Sequence, residues 1–234
     1  LAALERTTGV LRVEPEKWLE VSTADLDLIH QPDALARGAD GHGLGVAVLD
    51  TGADFTTPDL GSCAAAGAGC TVVYAHDFAP EDGTRDDSVR HGTNVSSIVH
   101  SVAPSARILA LDVFNGTGAS SLDITSALDW VIANKDTYAI VAVNMSLGYG
   151  GFTSPCPAEA LAVALQRVHD AGIVPAVATG NAGYTNALSS PACAPSAVAV
   201  GAVDNASVVT SFSNSASFAT ILAPGVSIAG GGVV

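Results

Sequence analysis

Short apolar runs alternating with amphipathic stretches fill residues 41–203, and this alternation constrains the fold more than any other feature of the chain. Runs of Val, Ile and Ala with little polar interruption suit strands buried on both faces, as in a parallel sheet covered by helices. They predict strands over 46–50, 72–78, 108–114, 140–147, 173–178 and 198–203. Three helices fit between them. The first runs over 91–102 and closes before Pro104. The second covers 121–136, with Ile124, Ala127, Leu128 and Val131 on one stripe and Ser120 and Asp123 spaced as a capping box. The third starts near Pro157, carries Leu161, Leu165 and Val168, and ends at Gly172. At 234 residues the chain is long enough for one substantial core, and the pattern predicts a single α/β domain.

The formal charge of −14, with only Lys17 and Lys135 as lysines, argues against a nucleic-acid partner, because phosphate contacts need a basic surface. No apolar run reaches the roughly 18 residues of a membrane span. The chain opens on Leu1, which suggests processing or truncation of a longer precursor. Four cysteines allow three pairings. Cys63 and Cys70 flank an Ala/Gly loop and read as a small staple, which leaves Cys156 and Cys193 to meet in space. Without a C-x-x-C spacing, disulfides in an oxidising compartment fit better than zinc or redox chemistry.

Several strand ends carry chemistry-bearing residues. GLGVAVLDTGAD puts Asp50 at the C-terminal end of a buried strand, where ligand sites gather in open α/β sheets. RHGTNV puts His91 at a helix start, and VNMSLGYG and VPAVATGNAG end two strands in small, backbone-exposing residues. In the last of these, Asn181 is positioned to aim an amide at a developing oxyanion. Taken singly, Asp-Thr-Gly and Gly-Asn are ordinary turn signatures and a helix-start histidine is unremarkable.

Read in order, DTGAD, HGTNV, SLG, ATGNAG and LAPGVSI resemble the subtilisin-like serine proteases over about residues 41–228. The resemblance implies a doubly wound, mostly parallel sheet with helices on both faces. It implies an endopeptidase acting on peptide or protein substrates, with no cofactor for the chemistry and with structural calcium in many members. Carried over by motif, Asp50 orients His91, His91 serves as general base and then general acid, and Asn181 is the oxyanion donor. Asn115, Gly116, Thr117 and Gly118 form one edge of an extended-peptide groove and Ser146, Leu147 and Gly148 the other. Ala178, Thr179 and Gly180 resemble the wall of the primary specificity pocket. The chain departs from the family pattern at Asn94, where a second histidine is common, and at Tyr149, where glycine is frequent.

The family's nucleophile lies in a Gly-Thr-Ser-Met motif shortly after Ala-Pro-Gly. Here Ala223-Pro224-Gly225 leads through Val226-Ser227-Ile228 to Val234 without it, and Ser227 belongs to the Val-Ser-Ile that trails Ala-Pro-Gly. The serine is therefore expected on a separate or missing C-terminal piece of the same precursor, and the domain, residues 41–234, lacks its C-terminal part. A nick near Val234 and a truncation of the chain both explain this, and strand faces left without the missing helix should be apolar and exposed. Residues 1–40 read as an N-terminal extension, with GVLRVEPEKWLEV similar to the last strand of an inhibitory propeptide. A secreted zymogen with autoproteolysis follows from the same resemblance.

Other readings fare less well. A protease-like binding module without a serine has no need for Asp50, His91 and Asn181 together. A nucleotide-binding domain fails because GHGLG precedes its strand and no P-loop motif occurs. Asp82, Asp86 and Asp87 cluster in one loop and offer oxygens to a calcium, although a hydrated acidic loop has the same composition, so no metal ligand is assigned.

Overall fold

A computed structural model describes residues 24–79 and 89–228. The extension and VEP segment at residues 1–20 and the aspartates at 82, 86 and 87 lie outside the described residues. Two short helices, α1 (Ala24–Leu28) and α2 (Gln31–Ala36), lie within the stretch read as an N-terminal extension. Pro32 suits the first turn of α2, and the buried Gln31 amide donates to the Ser101 and Val102 carbonyls at 3.1 and 3.3 Å. Then follow β1 (Gly45–Asp50), β2 (Val72–Asp77), α3 (His91–Val102) and β3 (Arg107–Asp112). A small hairpin, β4 (Phe114–Asn115) and β5 (Gly118–Ala119), precedes α4 (Ser121–Ala133), α5 (Lys135–Tyr138) and β6 (Ile140–Met145). The chain continues through β7 (Tyr149–Phe152), α6 (Ala160–Asp170), β8 (Val174–Ala178), β9 (Leu188–Ser190), β10 (Val198–Val203) and β11 (Ile221–Pro224).

Seven strands form one sheet in the order β11-β10-β8-β6-β1-β3-β2, and every pairing in it is parallel. Side chains alternate between its faces. On β1, Ala47 and Leu49 join Ile124, Leu128 and Val131 of α4 and Leu161, Leu165 and Val168 of α6 in the larger core cluster. Val48 faces the other way, with Leu60 and with Val95 and Val99 of α3. Each fully buried leucine contributes about 2 kcal/mol, so the α4–α6 face is the principal anchor of the sheet. Helix α3 packs on β1 and β3. The same face of β8 and β10 opens instead into a cleft of about 280 Å³, lined in part by Ala176, Val200, Ala202 and Ala223.

Helix ends explain two shifts from the sequence reading. Helix α6 begins at Ala160 instead of near Pro157, because Glu159 is the N-cap and accepts from the Leu161 N–H at 2.9 Å. Helix α4 stops at Ala133 and a separate turn, α5, follows. Its start is as read: Ser120 Oγ accepts from Asp123 N at 3.1 Å and donates to the Asp123 carboxylate at 2.6 Å. Gly172 closes α6 with φ +77°.

Both disulfides are present, Cys63–Cys70 and Cys156–Cys193. The second ties the loop before α6 to the segment after β9, where Cys156 N also donates to Cys193 O at 2.9 Å. No helix among the described residues is long and apolar enough to cross a membrane.

Candidate active site

Asp50 is the last residue of β1 and is buried, whereas His91, the first residue of α3, is about half exposed. Asp50 Oδ1 meets His91 Nδ1 at 2.6 Å and also accepts the Thr51 N–H at 2.9 Å. Holding Nδ1 this way turns the other ring nitrogen, Nε2, away from the carboxylate.

Small residues make this meeting possible. Gly52 takes φ +79°, so the chain turns sharply after β1, and the start of α3 packs directly on that turn with no room for a side chain at Gly92. Thr51 Oγ1 accepts the Gly92 N–H at 2.9 Å, and Thr93 Oγ1 accepts the Asp54 N–H at 2.8 Å. The turn after β1 and the start of α3 are thus interlocked, Thr51 bonding the backbone of Gly92 and Thr93 that of Asp54.

A cleft of about 580 Å³ opens beside His91. Of the residues expected there, Gly116, Thr117, Ser146, Leu147, Gly148, Ala178, Gly180 and Asn181 line it with His91. Asn115 and Gly118 are not in the lining; they pair across the β4–β5 hairpin whose tip presents Gly116 and Thr117. Thr179 is buried behind the wall and borders the smaller cleft, which shares Ser146, Ala178, Gly180 and Asn181 with the larger. Ser227 borders neither. Among the described residues, the side chains that line the larger cleft include no carboxylate, lysine or arginine.

Sequence reasoning missed several lining residues, among them Thr51, Phe114, Tyr184 and Ser189. Phe114 and Tyr184 lie just beside quoted motifs and carry no local mark of their place. Tyr149 was visible only as a departure from pattern. Its hydroxyl bonds Glu159, which also accepts from Ser190 Oγ at 3.0 Å. Burial pushes the Glu159 carboxyl up, but hydrogen bonds from Tyr149, Ser190 and the amides of Leu161 and Ala162 outweigh it, so its pKa lies below the ordinary value. The same Glu159 contact, helped by burial, raises the Tyr149 phenol.

Among the described residues no group of three His, Cys, Asp or Glu side chains is placed to hold a metal ion.

Residues 41–233 match the model of the subtilase family of peptidases. The chain is 33% identical to the subtilisin of Bacillus pumilus, over 86% of its own length and 71% of that protein. Subtilisin E of Bacillus subtilis (strain 168) is also 33% identical, and there the chain spans about half of the relative, 51%. In structure it resembles a cold-adapted subtilisin-like serine proteinase with TM-score 0.65 and 28% identity, covering 80% of this chain and 64% of that one. A prenylagaramide maturation protease gives TM-score 0.64 at 26% identity, with 83% and 67% covered. With Asp50 and His91 joined at the ends of β1 and α3, and with matches to sequence and fold running through both, the chain belongs to the subtilase family.

Proposed function

We propose that the protein is a serine endopeptidase that hydrolyses peptide bonds through an acyl-enzyme intermediate. The observation that carries this reading is the 2.6 Å contact between buried Asp50 and His91 at the lip of a cleft that also holds Asn181. In this reading a peptide lies extended between the hairpin tip, Gly116 and Thr117, and the Ser146–Gly148 edge, with Ala178, Thr179 and Gly180 walling the pocket for its leading side chain.

The nucleophile is a serine on a C-terminal piece of the same precursor. His91 Nε2 takes the hydroxyl proton as Oγ attacks the scissile carbonyl, and Asp50 stabilises the imidazolium so formed. Negative charge then builds on the carbonyl oxygen, and the Asn181 side-chain amide donates to it. Loss of one such donor costs about 3 kcal/mol of transition-state stabilisation, a figure established on subtilisin itself. His91 returns the proton to the leaving amine, the C–N bond breaks, and water releases the acyl group by the reverse sequence of proton transfers.

Residues 41–234 form the protease domain in this proposal, and residues 1–40 an extension retained from a propeptide. Two disulfides support an extracytoplasmic setting.

The test is fluorophosphonate labelling of the complete protein, read by denaturing intact mass. Covalent label on a serine that disappears in His91→Ala supports the protease. A folded, complete protein that takes no label would replace this reading with a binding module.

A further inference from the structure

The residue that could stabilise an oxyanion, Asn181, sits on an exposed loop, yet catalysis by such a donor requires its position to be set before the charge develops. One buried side chain supplies that constraint. Asn214 is fully buried, and its Nδ2 donates to the Thr179 carbonyl at 3.0 Å and to Ser189 Oγ at 3.2 Å. Its Oδ1 accepts the N–H groups of Ala182 at 3.0 Å and Tyr184 at 3.1 Å. The backbone N–H of Asn214 donates to Gly180 O at 2.9 Å. An asparagine amide offers two donors and two acceptor sites, and here all four are used. The bonds reach residues on both sides of Asn181, so its backbone is held from before and after.

Packing agrees with bonding. Gly180 has φ +107°, and a β-carbon there would lie 2.3 Å from Asn214 Nδ2 and 2.3 Å from Ser189 Oγ. The glycine before Asn181 therefore lets the loop descend onto Asn214. Neither residue is near the other in sequence.

We propose that Asn214 is the positioning residue of the oxyanion site: it fixes the 179–184 loop so that the Asn181 amide is preorganised toward the reacting carbonyl. This rests on the reading of Asn181 as the oxyanion donor. No other side chain of the required chemistry bonds both flanks of Asn181 among the described residues.

The test is a double-mutant cycle in the complete protease, assayed on a chromogenic peptide. Asn214→Ala is expected to lower kcat by about 10- to 100-fold with KM changed by less than about 3-fold. In an Asn181→Ala background the same change should cost less than about 3-fold, because the donor it positions is already gone. Equal losses in both backgrounds, or a loss carried by KM, would overturn the proposal. Should Asn214→Ala fail to fold, Asn214→Asp keeps the volume and the acceptor side while removing both donations, and runs through the same cycle. A wild-type protein without peptidase activity would sink the functional reading alone. The bracing is then judged by amide hydrogen exchange over residues 180–189, in whichever variant folds: faster exchange by about 10-fold or more sustains it, and unchanged exchange refutes it.

Discussion

A β-carbon on Gly92 would stand 2.0 Å from the carbonyl oxygen of Gly52 and 3.1 Å from the Thr51 amide nitrogen. Backbone meets backbone there, with no flexible side chain to yield. Gly92→Ala must therefore push α3 off the turn that follows β1 and carry His91 away from Asp50. The expected cost is about 3 kcal/mol of stability, at the upper end of overpacking effects, together with loss of peptidase activity. Thermal unfolding and a peptide assay on the same sample check both. A variant as stable as wild type would show that the two segments can part freely.

Asp50→Asn replaces the carboxylate that His91 Nδ1 faces with an amide of the same shape. The amide favours the wrong imidazole tautomer and cannot stabilise the imidazolium. In the complete protease kcat should fall about 10⁴-fold, the scale this change has in related triads, while the fold persists. Steady-state kinetics with circular dichroism as the control reads this directly.

Glu159 links the cleft edge to the start of α6, and its depressed pKa gives it a definite pH signature. A carboxyl with a lowered folded pKa contributes stability above its unfolded pKa and loses it as pH falls through the folded one. Tyr149→Phe removes one of the bonds that depress it. The acid unfolding midpoint of the variant should move to higher pH. The raised phenol of Tyr149 has the opposite limb: its contribution is full below the ordinary tyrosine pKa and is lost as pH rises through the folded value. Tyr149→Phe should thus also flatten the alkaline limb, and unfolding followed across pH reports both.

The two disulfides span very different lengths of chain, 37 residues for Cys156–Cys193 and 7 for Cys63–Cys70. On the chain-entropy account they stabilise by about 4 and about 2 kcal/mol respectively. Replacing the longer pair by serine should lower Tm more than replacing the shorter. Reversal of that order would show that local packing, not loop closure, sets their worth.

Where local pattern and tertiary outcome coincided, the sequence was a good guide. The run at 198–203 and the stretch at 91–102 became β10 and α3 with the bounds read for them: an unbroken apolar run marked the one, and Pro104 limited the other. Strand β11 escaped notice: Ile221–Pro224 is only four residues long, and pairing with β10 is what makes it a strand. The Pro157 start failed because proline tolerates the turn before Glu159 as well as a first helical position. Asp50, His91 and Asn181 stood out in the sequence only through the ordered motifs that resemble the subtilases; the structure joins Asp50 to His91 and puts His91 and Asn181 on one cleft. Asn214 did not stand out, because its four partners lie 25 to 35 residues away. Nothing local distinguishes it from any other Ser-Asn-Ser.

The strand order also governs how this molecule comes to exist. Strand β1 is made before the other six and ends near the middle of the sheet, between β3 and β6, which follow it only after whole helices. No two strands of the large sheet are joined as a hairpin, so every ladder closes a long loop before it gains a bond. Such non-local pairing slows folding, because loop-closure entropy is spent before the contacts that offset it form.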